Sequence, residues 1–153
     1  MKRSVLISLA LACLAITLVA PQVGRAYLPA EQRVRFAPVH IYLDSGDAAL
    51  AAYQFELKAK PGSIKIVGVE GGEHRAFKDA PYYDPAALRN DRIIIAAFNT
   101  GRNLPEGRTR IATLHLQIIG DADPDYTLKL IVAGNADGQD LPAELTLERG
   151  ANR

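Results

Sequence analysis

The amino-acid sequence predicts an all-β protein, an antiparallel β-sandwich or barrel, for three reasons. Short apolar runs alternate with polar residues at a period of two, as strands that are buried on one face do. Clusters of Gly, Pro, Asn and Asp separate the later runs, at residues 99–107, 120–125 and 134–142. No long stretch has the 3.6-residue period of an amphipathic helix, so a helical or α/β fold is disfavoured.

The first three predicted strands are short alternating runs that each end at turn residues. They lie at residues 39–43, 53–57 and 64–69, and the turns follow at 44–47, 60–62 and 71–72. Gly, Pro and Asp favour such turns because they tolerate or preset the required backbone angles. The expected core positions are Val39, Ile41, Leu43, Tyr53, Phe55, Leu57, Ile64 and Ile66.

The next predicted strand, at residues 92–98 (RIIIAAF), is apolar on both faces. This composition predicts a central strand that is covered on each side, with Phe98 in the core. The last three runs, at 112–118, 126–132 and 145–147, return to alternation. Their expected core positions are Ala112, Leu114, Leu116, Ile118, Tyr126, Leu128, Leu130, Val132, Leu145 and Leu147.

One segment, at residues 81–88, departs from the strand pattern. Asp84 has the chemistry of a helix N-cap, and Pro85 suits the first helical position. We therefore expect a turn or two of helix within a long loop.

The first 26 residues have the pattern of a cleaved signal peptide. Lys2 and Arg3 precede an apolar run at 5–19, and small residues occupy the cleavage positions around Arg25. The run of about 15 residues is shorter than the roughly 20 that a membrane-spanning helix needs. We predict a signal peptide at 1–26, a lead-in at 27–38 and one domain at 39–149, secreted or periplasmic and without a membrane span.

Charge and cysteine content exclude several function classes. The formal charge of +1 offers no basic surface for nucleic acid. The only cysteine, Cys13, lies in the predicted signal peptide, so the mature domain has no thiol nucleophile, disulfide or cysteine-bound metal. Ser45 and Ser63 both lie in predicted turns, and neither has the GxSxG motif of a serine hydrolase. We expect a protein that is not an enzyme.

The order of the predicted elements resembles that of cohesin modules. The similar segments lie at residues 39–44, 50–57, 64–72, 93–98, 107–116 and 136–138. The resemblance implies a jelly-roll β-sandwich of roughly eight to nine strands, shared with some cellulose-binding modules. It also implies a non-catalytic module that binds a protein, of the dockerin type in true cohesins, through one face of the sandwich.

The polar faces of the central strands are the candidate partner-binding surface that this resemblance implies. Solvated polar rows are common on sheets, so the same residues also fit a surface without function. The candidates are Gln54, Glu56, Lys58, Thr113, His115 and Gln117.

The alternative function is that of a carbohydrate-binding module that recognises a polysaccharide. Sugar rings stack on exposed aromatic side chains, and the sequence has no Trp. The candidates are therefore Tyr42, Tyr82 and Tyr83, although the last two also fit residues that pack the long loop onto the sandwich. A third alternative is self-assembly through exposed strand edges.

No cofactor is expected, with calcium as the one speculative ligand. Asn135, Asp137 and Asp140 surround Gly138 and offer the oxygen ligands that calcium prefers. The loop lacks the spacing and the terminal Glu of an EF-hand, and ordinary turns use the same residues. His40, His74 and His115 show no zinc-binding spacing and are expected to be solvated.

Overall fold

The computed structural model describes residues 33–150, which fold into two antiparallel four-stranded sheets. The predicted signal peptide at 1–26 lies outside the described residues. The eight strands of the described part are β1 (Val34–Asp44), β2 (Ala52–Ala59), β3 (Ile64–Gly71), β4 (Tyr82–Tyr83), β5 (Arg92–Phe98), β6 (Arg108–Ile119), β7 (Tyr126–Gly134) and β8 (Glu144–Arg149). The predicted all-β class is confirmed. The first strand begins at Val34, five residues before the predicted domain boundary.

The two sheets pack face to face around one core. Sheet A has the strand order β3-β6-β1-β8, and sheet B has the order β4-β5-β2-β7. The alternating apolar residues of β2 and β6, and those of β1 from Val39 to Leu43, point between the sheets and are buried, because this arrangement removes them from water. Tyr53 on β2 donates a hydrogen bond to the Ile111 carbonyl on β6 across the core, at 2.9 Å. Burial raises the pKa of the Tyr53 hydroxyl, which keeps it a neutral donor.

Two single 3₁₀ turns, Arg75–Phe77 and Pro85–Ala87, lie in the β3–β4 and β4–β5 connections. The second is the predicted helical segment, and Asp84 caps it by accepting a hydrogen bond from the Ala86 amide at 2.9 Å. The first turn was not predicted. It buries Phe77, whose ring meets that of Tyr53 edge-on at 5.1 Å and closes one end of the core.

Two predicted core positions are wrong, and both lie on the outer face of sheet B. Phe98 is 65% exposed because β5 buries only the face that carries Ile93 and Ile95. Val132 is also exposed. A bulge at Ile131 shifts the register of β7 against β2, so that Val132 pairs with the outward-facing Gln54.

The prediction that β5 is covered on both faces is wrong for the same reason. Its outer face carries Ile94, Ala96 and Phe98, and the first and last of these are exposed. Antiparallel sheets commonly leave one face in solvent, and here that face is apolar. Among residues 33–150, no helix is long and apolar enough to cross a bilayer.

Candidate functional site

The outer face of sheet B brings exposed apolar side chains together from three strands. The strand register places Tyr82, Ala96, Gln54 and Val132 in one row across β4, β5, β2 and β7. Phe98 lies two residues along β5 from Ala96, and its ring stacks parallel to that of Tyr82 with centroids 6.1 Å apart. Tyr82 is 69% exposed.

We call Tyr82, Ile94, Phe98 and Val132 the Tyr82 patch. All four are large apolar side chains that remain exposed in the described structure. Scattered exposed apolar residues are common, but these four lie on one face of one sheet and two of them, Tyr82 and Phe98, stack, which indicates an interaction site. Sequence reasoning missed three of the four. The sequence signal for this patch is that β5 is apolar on both faces. The same pattern fits a strand whose two faces are both covered by other parts of the protein.

Charged residues border the Tyr82 patch at the next rows of sheet B. Ile94 pairs with Glu56, which pairs with Lys129, and the following row holds Arg92 and Lys58. Glu56 forms an ion pair with Arg92. An apolar centre with a polar rim is the usual composition of a protein-binding surface.

The structure divides the six predicted partner-binding residues between opposite sides of the sandwich. Gln54, Glu56 and Lys58 lie on sheet B beside the Tyr82 patch. The other three lie along β6 in sheet A and do not contribute to that surface. Thr113 is also buried, with its hydroxyl 3.0 Å from His40 Nδ1, so it offers little contact area.

The three candidate sugar-binding tyrosines occupy different environments. Tyr82 is exposed in the patch, whereas Tyr83 packs against the core, as the structural alternative predicted. Tyr42 lies on the outer face of sheet A, and the guanidinium carbon of Arg108 lies 3.7 Å from its ring centroid. One face of the Tyr42 ring is therefore already covered by a cation–π contact.

The predicted calcium ligands lie in the β7–β8 connection. Asn135 Oδ1 accepts hydrogen bonds from the backbone amides of Asp137, at 3.0 Å, and Gln139, at 2.9 Å. Its oxygen thus shapes the turn, while the side chains of Asp137 and Asp140 are exposed. Within residues 33–150, no three His, Cys, Asp or Glu side chains are grouped to hold a metal ion. Calcium binding by this loop stays a prediction.

Both serines of the domain support turns. Ser45 Oγ donates to the Ala48 carbonyl and Ser63 Oγ to the Lys60 carbonyl, each at 2.7 Å. No histidine contacts either hydroxyl among the described hydrogen bonds. His74 caps the first 3₁₀ turn, where its Nδ1 accepts from the Ala76 amide at 3.2 Å.

A cluster of ion pairs connects the β6–β7 loop to the edge of sheet A. Asp123 contacts Arg35 on β1, and its second oxygen lies 3.5 Å from Arg149 on β8. The hydrogen bond from Arg35 and the charge of that side chain lower the pKa of Asp123. The cluster therefore links the β6–β7 loop to two strands of sheet A, β1 and β8.

The lowered pKa of Asp123 predicts an acid-sensitive contribution to stability. The folded value lies below the unfolded value, so the contribution is complete above the unfolded pKa and is lost as the pH falls through the folded one. Below about pH 4, the melting temperature of the wild type should fall more steeply than that of Asp123→Asn, measured by circular dichroism. Asp47→Asn is the control, since Asp47 is exposed and forms no ion pair in the described chain. The same fall of melting temperature with decreasing pH in the wild type, Asp123→Asn and Asp47→Asn would contradict the prediction.

No protein-family model matches the chain, and no curated protein and no solved structure is significantly similar to it.

Proposed function

We propose that this protein is an exported, non-catalytic binding module that binds another protein through the outer face of sheet B. The observation that carries the proposal is the Tyr82 patch, an exposed apolar group on a sheet whose other face forms the core. Aromatic residues dominate the energetics of protein interfaces because each buries a large area with few rotatable bonds. The resemblance of the sequence to cohesins supports a protein as the partner, and the signal-peptide pattern of residues 1–26 supports a location in the periplasm or outside the cell.

The rim of the patch supports a protein partner of mixed charge. Lys58 and Lys129 are exposed at one end, next to the Glu56–Arg92 ion pair. Charges at an interface rim contribute mainly to the rate of association and to the choice of partner. The apolar centre would supply most of the affinity.

A pull-down tests this function. The mature domain, immobilised by its C-terminus, is incubated with an extract of the organism that produces it. We expect a saturable protein partner that is retained by the wild type and lost by the double variant Tyr82→Ala/Phe98→Ala. Retention of the same proteins by both baits would contradict binding through this face.

Polysaccharide binding at the same face is a second candidate. Tyr82 and Phe98 stack with ring centroids 6.1 Å apart and are both more than half exposed, so their free aromatic surface is available for a sugar ring to stack on. Retention of the domain on an insoluble polysaccharide, abolished in Tyr82→Ala, would favour this function. If the domain is retained on no polysaccharide, the polysaccharide-binding function is excluded and binding of a protein partner is the remaining candidate.

A further inference from the structure

The outer face of sheet A holds a groove of ≈ 580 Å³ on the side opposite the Tyr82 patch. Strand β6 runs along its floor. His115 on β6 pairs with Pro38 on β1 and with Gly68 on β3. Since glycine has no side chain, the space beside the His115 ring stays open on the β3 side. The polar side chains that line the groove are His40, Glu70, Arg110, Thr113 and His115.

Arg110 lies at one end of this groove, where its backbone amide donates to Glu73 Oε1 at 2.9 Å while its guanidinium forms no ion pair within residues 33–150. Its Nε is buried and has no hydrogen-bond partner, and no carboxylate among residues 33–150 lies within 4.0 Å of its guanidinium. A buried donor that makes no hydrogen bond is costly, so such groups usually serve a ligand or a water. The planar guanidinium fits a carboxylate through two parallel hydrogen bonds. This end of the groove is suited to a ligand carboxylate.

The middle of the groove needs hydrogen-bond donors from the ligand. Glu70 is exposed, and its Oε1 lies 2.9 Å from His115 Nε2 without the alignment of a hydrogen bond. The next row pairs Thr113 with His40, whose Nδ1 lies 3.0 Å from the Thr113 hydroxyl. A simple anion would be repelled by the Glu70 carboxylate, whereas a hydroxylated acid can donate hydrogen bonds to it. The mixed charge therefore favours a ligand with both a carboxylate and hydroxyl groups.

The far end of the groove is apolar. Phe36 is 61% exposed there, and it pairs with Gln117, which lies seven residues along β6 from Arg110. At about 3.3 Å per strand residue, the groove extends roughly 20 Å. This length suits a chain of several sugar units, and the Phe36 ring offers a surface for the apolar face of one of them.

We propose that this groove binds an acidic oligosaccharide. The carboxylate of a uronic acid unit lies on Arg110, hydroxyl groups of the chain donate to Glu70 and contact Thr113, and a further sugar ring lies on Phe36. This site is separate from the Tyr82 patch, so protein binding on sheet B and sugar binding on sheet A are independent. One chain can in this way attach a protein partner to an acidic polysaccharide.

Calorimetric titration with a panel of oligosaccharides that contain glucuronic, galacturonic or mannuronic acid tests the proposal. We expect at least one of them to bind, and its carboxyl-reduced neutral form to bind about tenfold more weakly or worse. Arg110→Gln should weaken binding of the acidic oligosaccharide by a similar factor. Arg102→Gln, an exposed arginine in the β5–β6 loop, is the control and should bind as the wild type does.

The site would be overturned by affinity weaker than about 1 mM for the whole panel, by equal affinity for the acidic and reduced sugars, or by equal losses in Arg110→Gln and Arg102→Gln. Acetate that competes at the same concentration as the sugar would indicate a simple anion site and would also overturn it. If Arg110→Gln proves unstable, Arg110→Lys is measured in its place. It keeps the positive charge and should retain part of the sugar affinity. The double variant Tyr82→Ala/Phe98→Ala should keep full affinity for the acidic sugar. Failure of the protein-binding proposal for sheet B can therefore be distinguished from failure of the sugar site on sheet A.

Discussion

Replacing Phe55 with alanine is expected to lower the free energy of unfolding by about 3–5 kcal/mol. Phe55 is fully buried at the centre of β2, between the two sheets. Its removal takes away the burial of a large ring and leaves a cavity that the β-sandwich can only partly close. Chemical denaturation monitored by circular dichroism measures the change.

Phe98→Ala is the matched control, because it makes the same chemical change on a strand of the same sheet. Phe98 is exposed, and its ring stacks with that of Tyr82. We expect a loss within about 1 kcal/mol. Similar losses in the two variants would mean that Phe98 is a core residue, and the surface assigned to sheet B would be wrong.

The double variant Tyr82→Ala/Phe98→Ala is expected to weaken binding of the protein partner about 30-fold or more, since truncating even one hot-spot aromatic residue of an interface costs about 2 kcal/mol or more. The variant should keep a melting temperature close to that of the wild type, because both side chains are exposed. Surface plasmon resonance with the partner recovered in the pull-down measures the affinity.

Val34→Ala/Phe36→Ala is the control for this binding experiment. These two residues are also apolar and exposed, at 46% and 61%, but they lie on β1 at the outer face of sheet A. We expect no change in affinity for the protein partner. A loss as large as that in the sheet B variant would show that binding responds to general surface hydrophobicity and not to the Tyr82 patch.

The strands were predictable where alternation alone decides which side chains are buried. Val39, Ile41 and Leu43 face the core as expected, because the alternating polar side chains between them are solvated only when they face water. Asp84 and Pro85 also predicted their 3₁₀ turn, since capping depends on local chemistry. These features need no knowledge of which strands are neighbours.

The surfaces were not predictable, because they depend on register and on which sheet a strand joins. The bulge at Ile131 turns Val132 outward, and the alternation of β7 does not reveal it. A second bulge, at Val67, places Gly68 opposite His115 and opens the groove on sheet A. The exposure of Phe98 likewise follows only from the absence of a described layer over β5.

Site-directed photo-crosslinking tests the central proposal, binding through sheet B, most directly. A benzophenone amino acid is placed at Ile94 on the outer face of sheet B, or at Lys65 on the outer face of sheet A, and each protein is irradiated in the producing organism's extract. Both positions are exposed. We expect a discrete crosslinked protein from position 94 that is absent from position 65. Crosslinking from position 65 alone, or the same products from both positions, would contradict binding through the Tyr82 patch.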